Sequence, residues 1–191
     1  LLGFFLGWMN SKVIGRIFRS ADRNKTAGKF RRAEIVAGAG VAFMHGAQDG
    51  QKFMSIFVLA IVLSMGLGQE AQSALPVGLM LLCALNMGLG TAVGGERIIK
   101  SVGMDMVKME PYQGFAASFA TFFCLMLSTF AGLPVSTTHT NTTAIMGVGA
   151  ARRKSAVKWG IAVDMVKTWV LTFPGCGLLG FAFAHLFLMI M

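Results

Sequence analysis

Apolar residues occur along this chain in long blocks separated by a few short polar or basic gaps. The blocks Ile35 to Met44, Phe53 to Leu67, Val77 to Val93 and Phe115 to Val135 carry almost no charge. A helix that crosses a hydrocarbon core needs about 20 predominantly apolar residues, so the pattern predicts several membrane-crossing helices. Residues 1–18 read as a partial span whose inner end is made polar by Asn10, Ser11, Lys12 and Arg16. Its apolar stretch ends in a basic run with no small-residue cleavage site, which is unlike a signal peptide, and a chain that opens on Leu1 reads as part of a longer protein. Residues 19–32, RSADRNKTAGKFRR, are too charged for lipid and are expected to form a helix along the inner surface.

The next crossing, residues 33–67, is far longer than one span needs, and HGAQDGQK at 45–52 interrupts its apolar character. The expectation is a discontinuous helix, because irregular backbone at membrane depth survives only where it is buried in protein or lines a cavity. Residues 76–94 predict one uninterrupted span, with Gly88 and Gly90 permitting close helix approach. Residues 111–151 begin and end among basic residues, yet STTHTNTT at 136–143 is too polar to face lipid. A re-entrant helical hairpin accommodates both facts, with one leg near 111–131, a tip at Gly132, Leu133 and Pro134, and a second leg from Ser136. Residues 159–191 form terminal helices punctuated by Pro174 and Gly175, and Asp164 and Lys167, three apart, can pair.

Composition agrees with a lipid-embedded, all-α integral membrane protein: of 191 residues 55% are hydrophobic and 13% charged, and the mean hydropathy is +0.67. The formal charge of +9 would suit a nucleic-acid binder if the basic residues shared one face, but they cluster in the gaps. Eight lie between Lys12 and Arg32, three at Arg97, Lys100 and Lys108, and four at Arg152, Arg153, Lys154 and Lys158. Short basic gaps mark the cytoplasmic side, while Gly68 to Leu75, with Glu70 and no basic residue, reads as external. The charge is therefore topological, nucleic acid is not an expected partner, and a multi-pass protein of the plasma membrane is expected. Cys83, Cys124 and Cys176 fall in apolar stretches without zinc spacing and read as packing residues.

Two polar constellations carry candidate chemistry. GLPVSTTHTNTT puts hydroxyls at the start of a helix, where unpaired backbone N–H groups and the positive dipole end attract anions. Ser136, Thr137 and Thr138 can donate to the same anion, although Ser and Thr in such helices also bond back to their own carbonyls. Asp49 is the carboxylate inside the interrupted crossing and requires a cation, a proton or a basic partner. Sodium suits an oxygen set of Asp49, the Gln48 amide oxygen and backbone carbonyls, with Ser136 a further ligand, and pairing with Lys52 is the structural alternative. His45 and Asp49 at i,i+4, together with His139, would suit a metal-dependent hydrolase, but no HExxH arrangement is present and an enzyme is not expected. Asn141 and His139 are supporting polar residues on the same helix.

FMHGAQDGQK at 43–52 and GLPVSTTHTNTTAIMGVG at 132–149, in this order and spacing, resemble the C-terminal repeat of the inorganic phosphate transporter (PiT) family. GTAVGGERIIKSVG at 90–103 and the pattern of Trp169, Leu171, Thr172 and Pro174 extend the resemblance over essentially the whole chain. The resemblance implies one half of an inverted-repeat symporter, coupled to sodium or protons, that binds inorganic phosphate near the membrane midplane by alternating access. It assigns Gln48, Asp49, Ser136, Thr137 and Thr138 to binding, with His45 beside them. Gln48 stands where the family most often has Asn, and Ser118 where many members have an acidic residue. Each motif occurs once, so the implied partners are a missing N-terminal repeat, membrane lipid and, as a further option, a second copy in a homo-oligomer. No bound cofactor is implied beyond the co-transported ion. The alternatives are a transporter of another tetrahedral oxyanion such as sulfate, and a non-transporting subunit or remnant of the same fold.

Overall fold

The computed structural model describes residues 1–20, 23–65 and 77–190, and it is all-helical among them. The order is α1 (Leu2–Ile17), α2 (Arg23–Met65), α3 (Val77–Ile98) running into a π-helical segment Ile99–Met106, α4 (Pro111–Phe130), α5 (Thr137–Arg152), a short 3-10 turn Lys154–Ala156, and α6 (Trp159–Ile190). Among the described residues three helical stretches, Val77–Gly95, Pro111–Phe130 and Trp159–Met189, are long and apolar enough to cross a membrane. The external loop expected at Gly68 to Leu75 lies outside the described residues.

α4 and α5 form a helical hairpin against which α1 and α2 pack. The buried positions of α4, among them Gln113, Ala117, Ala120, Thr121, Cys124 and Ser128, recur every three or four residues, so one stripe of this helix faces protein. α1 meets α5 through Gly3, Gly7 and Ser11, its buried positions. A Cβ on Gly3 would stand 2.8 Å from the Thr140 carbonyl oxygen, and one on Gly7 would collide with the Ala144 carbonyl. Gly147 on α5 is closed in the same way by the Phe4 carbonyl, so the two backbones touch along a stripe of small residues. The foot of the hairpin is closed by a core of Val102, Met106, Val107, Val148, Val157 and their neighbours, and by Lys158 N–H donating to Met106 O at 3.0 Å. Arg152 Nη2 lies 3.3 Å from Glu110 Oε1, joining the end of α5 to the residue that caps α4. Hairpin entry and exit therefore share one end, among basic residues.

The tip closes by backbone chemistry. Gly132 has φ +66°, and Leu133 N–H donates to Ser128 O at 2.9 Å while Gly132 N–H donates to Thr129 O at 3.1 Å, the paired bonds of a Schellman cap. Pro134 follows where the helix cannot continue, and Ser136 caps α5 by accepting from His139 N–H at 3.3 Å. Gly132→Ala places a Cβ in the left-handed region and is expected to cost about 1–2 kcal/mol, with Gly132→Asn costing less. Thermal unfolding of the full-length protein in detergent reads this.

Four expectations change. α2 is one helix through 45–52 and is not discontinuous. His45 Nε2 sits 2.8 Å from Asp49 Oδ2 and Lys52 Nζ 2.9 Å from Asp49 Oδ1, so helical i,i+4 and i,i+3 spacing already neutralises the carboxylate and no break is needed to satisfy it. Residues 23–32, expected as a separate inner-surface helix, are the start of α2, which at 43 residues spans roughly 64 Å and so outruns a core of about 30 Å. The expected inner gap at 97–108 is largely helical, because α3 continues into the π-helical segment. The terminal helices are a single α6 that carries Pro174 inside it, where one backbone hydrogen bond is missing but the helix persists. Asp164 and Lys167 do pair, at 3.2 Å. Of the three cysteines, Cys124 is buried in packing and Cys176 is exposed.

Candidate functional site

His45, Gln48, Asp49 and Lys52 are spaced i, i+3, i+4 and i+7, which puts them on one face of α2. Helical continuity aligns Gln48 and Lys52 toward the hairpin without any break. Gln48 is 3% exposed, and its Nε2 donates to Thr129 Oγ1 at 2.8 Å. Thr129 Oγ1 in turn donates to Leu125 O at 2.9 Å, so the amide nitrogen is fixed and its oxygen is free of that bond. Lys52 Nζ donates to Asp49 Oδ1 and also, at 2.8 Å, to the carbonyl of Val135, the residue before the α5 cap. One ammonium therefore connects the α2 carboxylate to the backbone of the hairpin tip. Gln48, Lys52 and Ser55 line an open cavity of about 200 Å³ with Thr129 and the tip residues Gly132 and Pro134.

The hydroxyls of the second leg divide into two groups. Thr140 Oγ1 donates to Ser136 O at 3.0 Å and Thr143 Oγ1 to His139 O at 2.8 Å, the back-bonding that Ser and Thr often adopt in helices. Thr137 is buried and Thr138 exposed, and neither hydroxyl has a partner among the described residues. The two therefore remain as donors at the first turn of α5, beside its unpaired N–H groups. His139 packs on Trp169 of α6, ring centroids 4.0 Å apart and the planes tilted by 34°, and Asn141 Oδ1 accepts from Thr121 Oγ1 at 3.2 Å. His45 and His139 thus have different partners, one a carboxylate and one an indole. Ser136 contributes a hydroxyl as cap acceptor and is joined to the α2 face through its neighbour Val135.

Sequence reasoning missed Thr129 and the Val135 carbonyl. Thr129 had a signal, since Ser128 and Thr129 end the apolar run 122–127 just before the tip glycine. Val135 had none, because a backbone oxygen is invisible to residue type.

A sequence profile of the phosphate transporter family (PHO4) matches residues 7–180. The chain belongs to the phosphate transporter family. Among family relatives it is 38% identical over 180 residues to a protein of Bacillus subtilis (strain 168) named probable low-affinity inorganic phosphate transporter, covering 94% of this chain and 54% of that one. It is 36% identical over 178 residues to a protein of the same name from Rhizobium meliloti (strain 1021), covering 93% and 53%. A solved structure entitled the sodium-dependent phosphate transporter superposes with a TM-score of 0.69 at 29% identity, over 83% of this chain and 40% of that one. The chain thus spans about half the length of the curated relatives it matches. At the level of the family, the resemblance drawn from the two motifs agrees with this match.

Proposed function

We propose that this chain is one half of a cation-coupled inorganic phosphate symporter of the plasma membrane, with sodium as the coupling ion and a second, inverted repeat completing the site. The observation that carries this is the convergence of the Gln48–Asp49–Lys52 face of α2 on the hairpin tip, beside two hydroxyls with no described partner at a helix N-terminus. An oxyanion suits the N–H groups and hydroxyls of Thr137 and Thr138, with Ser136 at the cap. A small hard cation suits the oxygens of Asp49 and Gln48. His45, Lys52, His139 and Asn141 hold these groups in place. Sodium is favoured by the sodium-dependent neighbour. Alternating access follows if the hairpin re-enters the membrane from the basic side and rocks against α2, a reading supported by the Glu110–Arg152 closure of its foot.

Phosphate uptake into proteoliposomes by the full-length protein, under imposed sodium or proton gradients, tests the proposal. Uptake driven by sodium is the expected result, and no uptake under either gradient sinks it. Thr137→Val keeps the shape and removes one donor to a charged ligand, a bond of about 1.5–3 kcal/mol, so the apparent phosphate affinity is expected to fall roughly ten- to hundred-fold. Competition by sulfate at comparable concentration would instead support a general tetrahedral oxyanion carrier.

A further inference from the structure

The exposed face of α1 changes character along its length. Phe5, Trp8 and Met9 are exposed in its first turns, and Lys12, Arg16 and, just past its end, Arg19 are exposed beyond them. At 100° per residue Phe5, Trp8, Met9, Lys12 and Arg16 fall on the same side, opposite the buried Gly3, Gly7 and Ser11, and Arg19 follows in the turn after the helix. Along one face, an apolar stripe leads to a row of three cations.

The cationic end is a groove and not a flat surface. Lys12, Arg16 and Arg19 line a cavity of about 560 Å³ together with Trp8, Tyr112 of α4 and Arg152 of α5. Three helices contribute, and four positive side chains converge. Glu110 engages Arg152 through one nitrogen at 3.3 Å, and a guanidinium carries five N–H donors. The groove keeps a positive excess at the basic end of the fold, away from the Gln48–Asp49 face.

We propose that this groove binds the phosphodiester headgroup of an anionic phospholipid, with the acyl chains laid along Phe5, Trp8 and Met9. The shared chemistry is a phosphate oxyanion held by guanidinium and ammonium groups, which free phosphate could also supply. Continuity of the groove with an apolar stripe selects the lipid, because inorganic phosphate has nothing to place there. Basic pockets between helices on the cytoplasmic side are suited to such headgroups, and Trp8 stands at the junction where an aromatic ring prefers the interface. The inference stands apart from the transport reading and holds whatever the substrate is.

The test uses the full-length protein in phosphatidylcholine nanodiscs doped with brominated phosphatidylglycerol or, as control, brominated phosphatidylcholine. Quenching of Trp8 is isolated by subtracting the Trp8→Phe protein. Stronger quenching by the brominated phosphatidylglycerol is expected. Lys12→Gln and Arg16→Gln should each reduce that preference by about five-fold, the contribution of one basic residue near an anionic surface. Lys12→Arg should retain it, which separates loss of charge from loss of folding. Equal quenching by the two lipids overturns the proposal, as does a preference unchanged in the Gln variants. Added inorganic phosphate that abolishes the preference also overturns it and reassigns the groove to the free anion.

Discussion

Asp49→Asn is expected to lower gradient-driven phosphate uptake by at least about ten-fold, a loss of ~1.4 kcal/mol or more in transition-state or ligand stabilisation. The carboxylate is held between His45 and Lys52 and is only partly exposed, so it is both shielded and reachable by an ion. Loss of activity in the single variant has two explanations. Asp49 is either a ligand for the co-transported cation or merely the counter-ion that keeps Lys52 on the Val135 carbonyl. The double variant Asp49→Asn with Lys52→Met separates them, since it removes both charges and leaves no unpaired ammonium beside the tip. Uptake that stays lost in the double variant supports the cation-ligand role. Uptake restored in the double variant means that Asp49 only neutralises Lys52, and the cation site must then be sought elsewhere.

Gly7→Leu is expected to give the largest stability loss of any single glycine replacement on α1. The Cβ alone meets the Ala144 backbone carbonyl, and a carbonyl in the middle of α5 cannot rotate away as a side chain would. Overpacking of this kind costs about 1–3 kcal/mol when neighbours can shift, and here the shift required is separation of two helices. Gly28→Leu, where nothing lies within 4 Å of the added Cβ, is the matched control and should leave the unfolding midpoint unchanged or slightly raised. Differential scanning fluorimetry of the full-length protein compares the two. Equal midpoints would show that α1 does not pack on α5 through this stripe.

The hairpin was legible because its signals are local. Gly132 and Pro134 punctuate the chain, Ser136 is a good cap, and α4 before them has the length and apolarity of a span, so neighbours in sequence are enough to outline two legs and a tip. In α2 the polar run at 45–52 resembles a break in sequence, but the helix is continuous. His45, Asp49 and Lys52 satisfy one another at helical spacing, and such pairing leaves the helix intact. Gly88 and Gly90 looked like points of close approach, yet nothing described lies within 4 Å of a Cβ at either, whereas Gly3, Gly7 and Gly147 are in contact with facing backbone.

By itself the sequence determined the apolar surroundings, the helical class, the family and the residues with candidate chemistry. These follow from residue type and spacing, which act through transfer free energy, charge and turn stereochemistry. Only the tertiary structure decided which of those groups meet. Gln48 bonds to Thr129 across 81 positions of sequence, and Lys52 reaches the Val135 carbonyl across 83. Contacts at such separation depend on how helices pack, and packing is set by the shapes of facing surfaces, a property that no single segment carries.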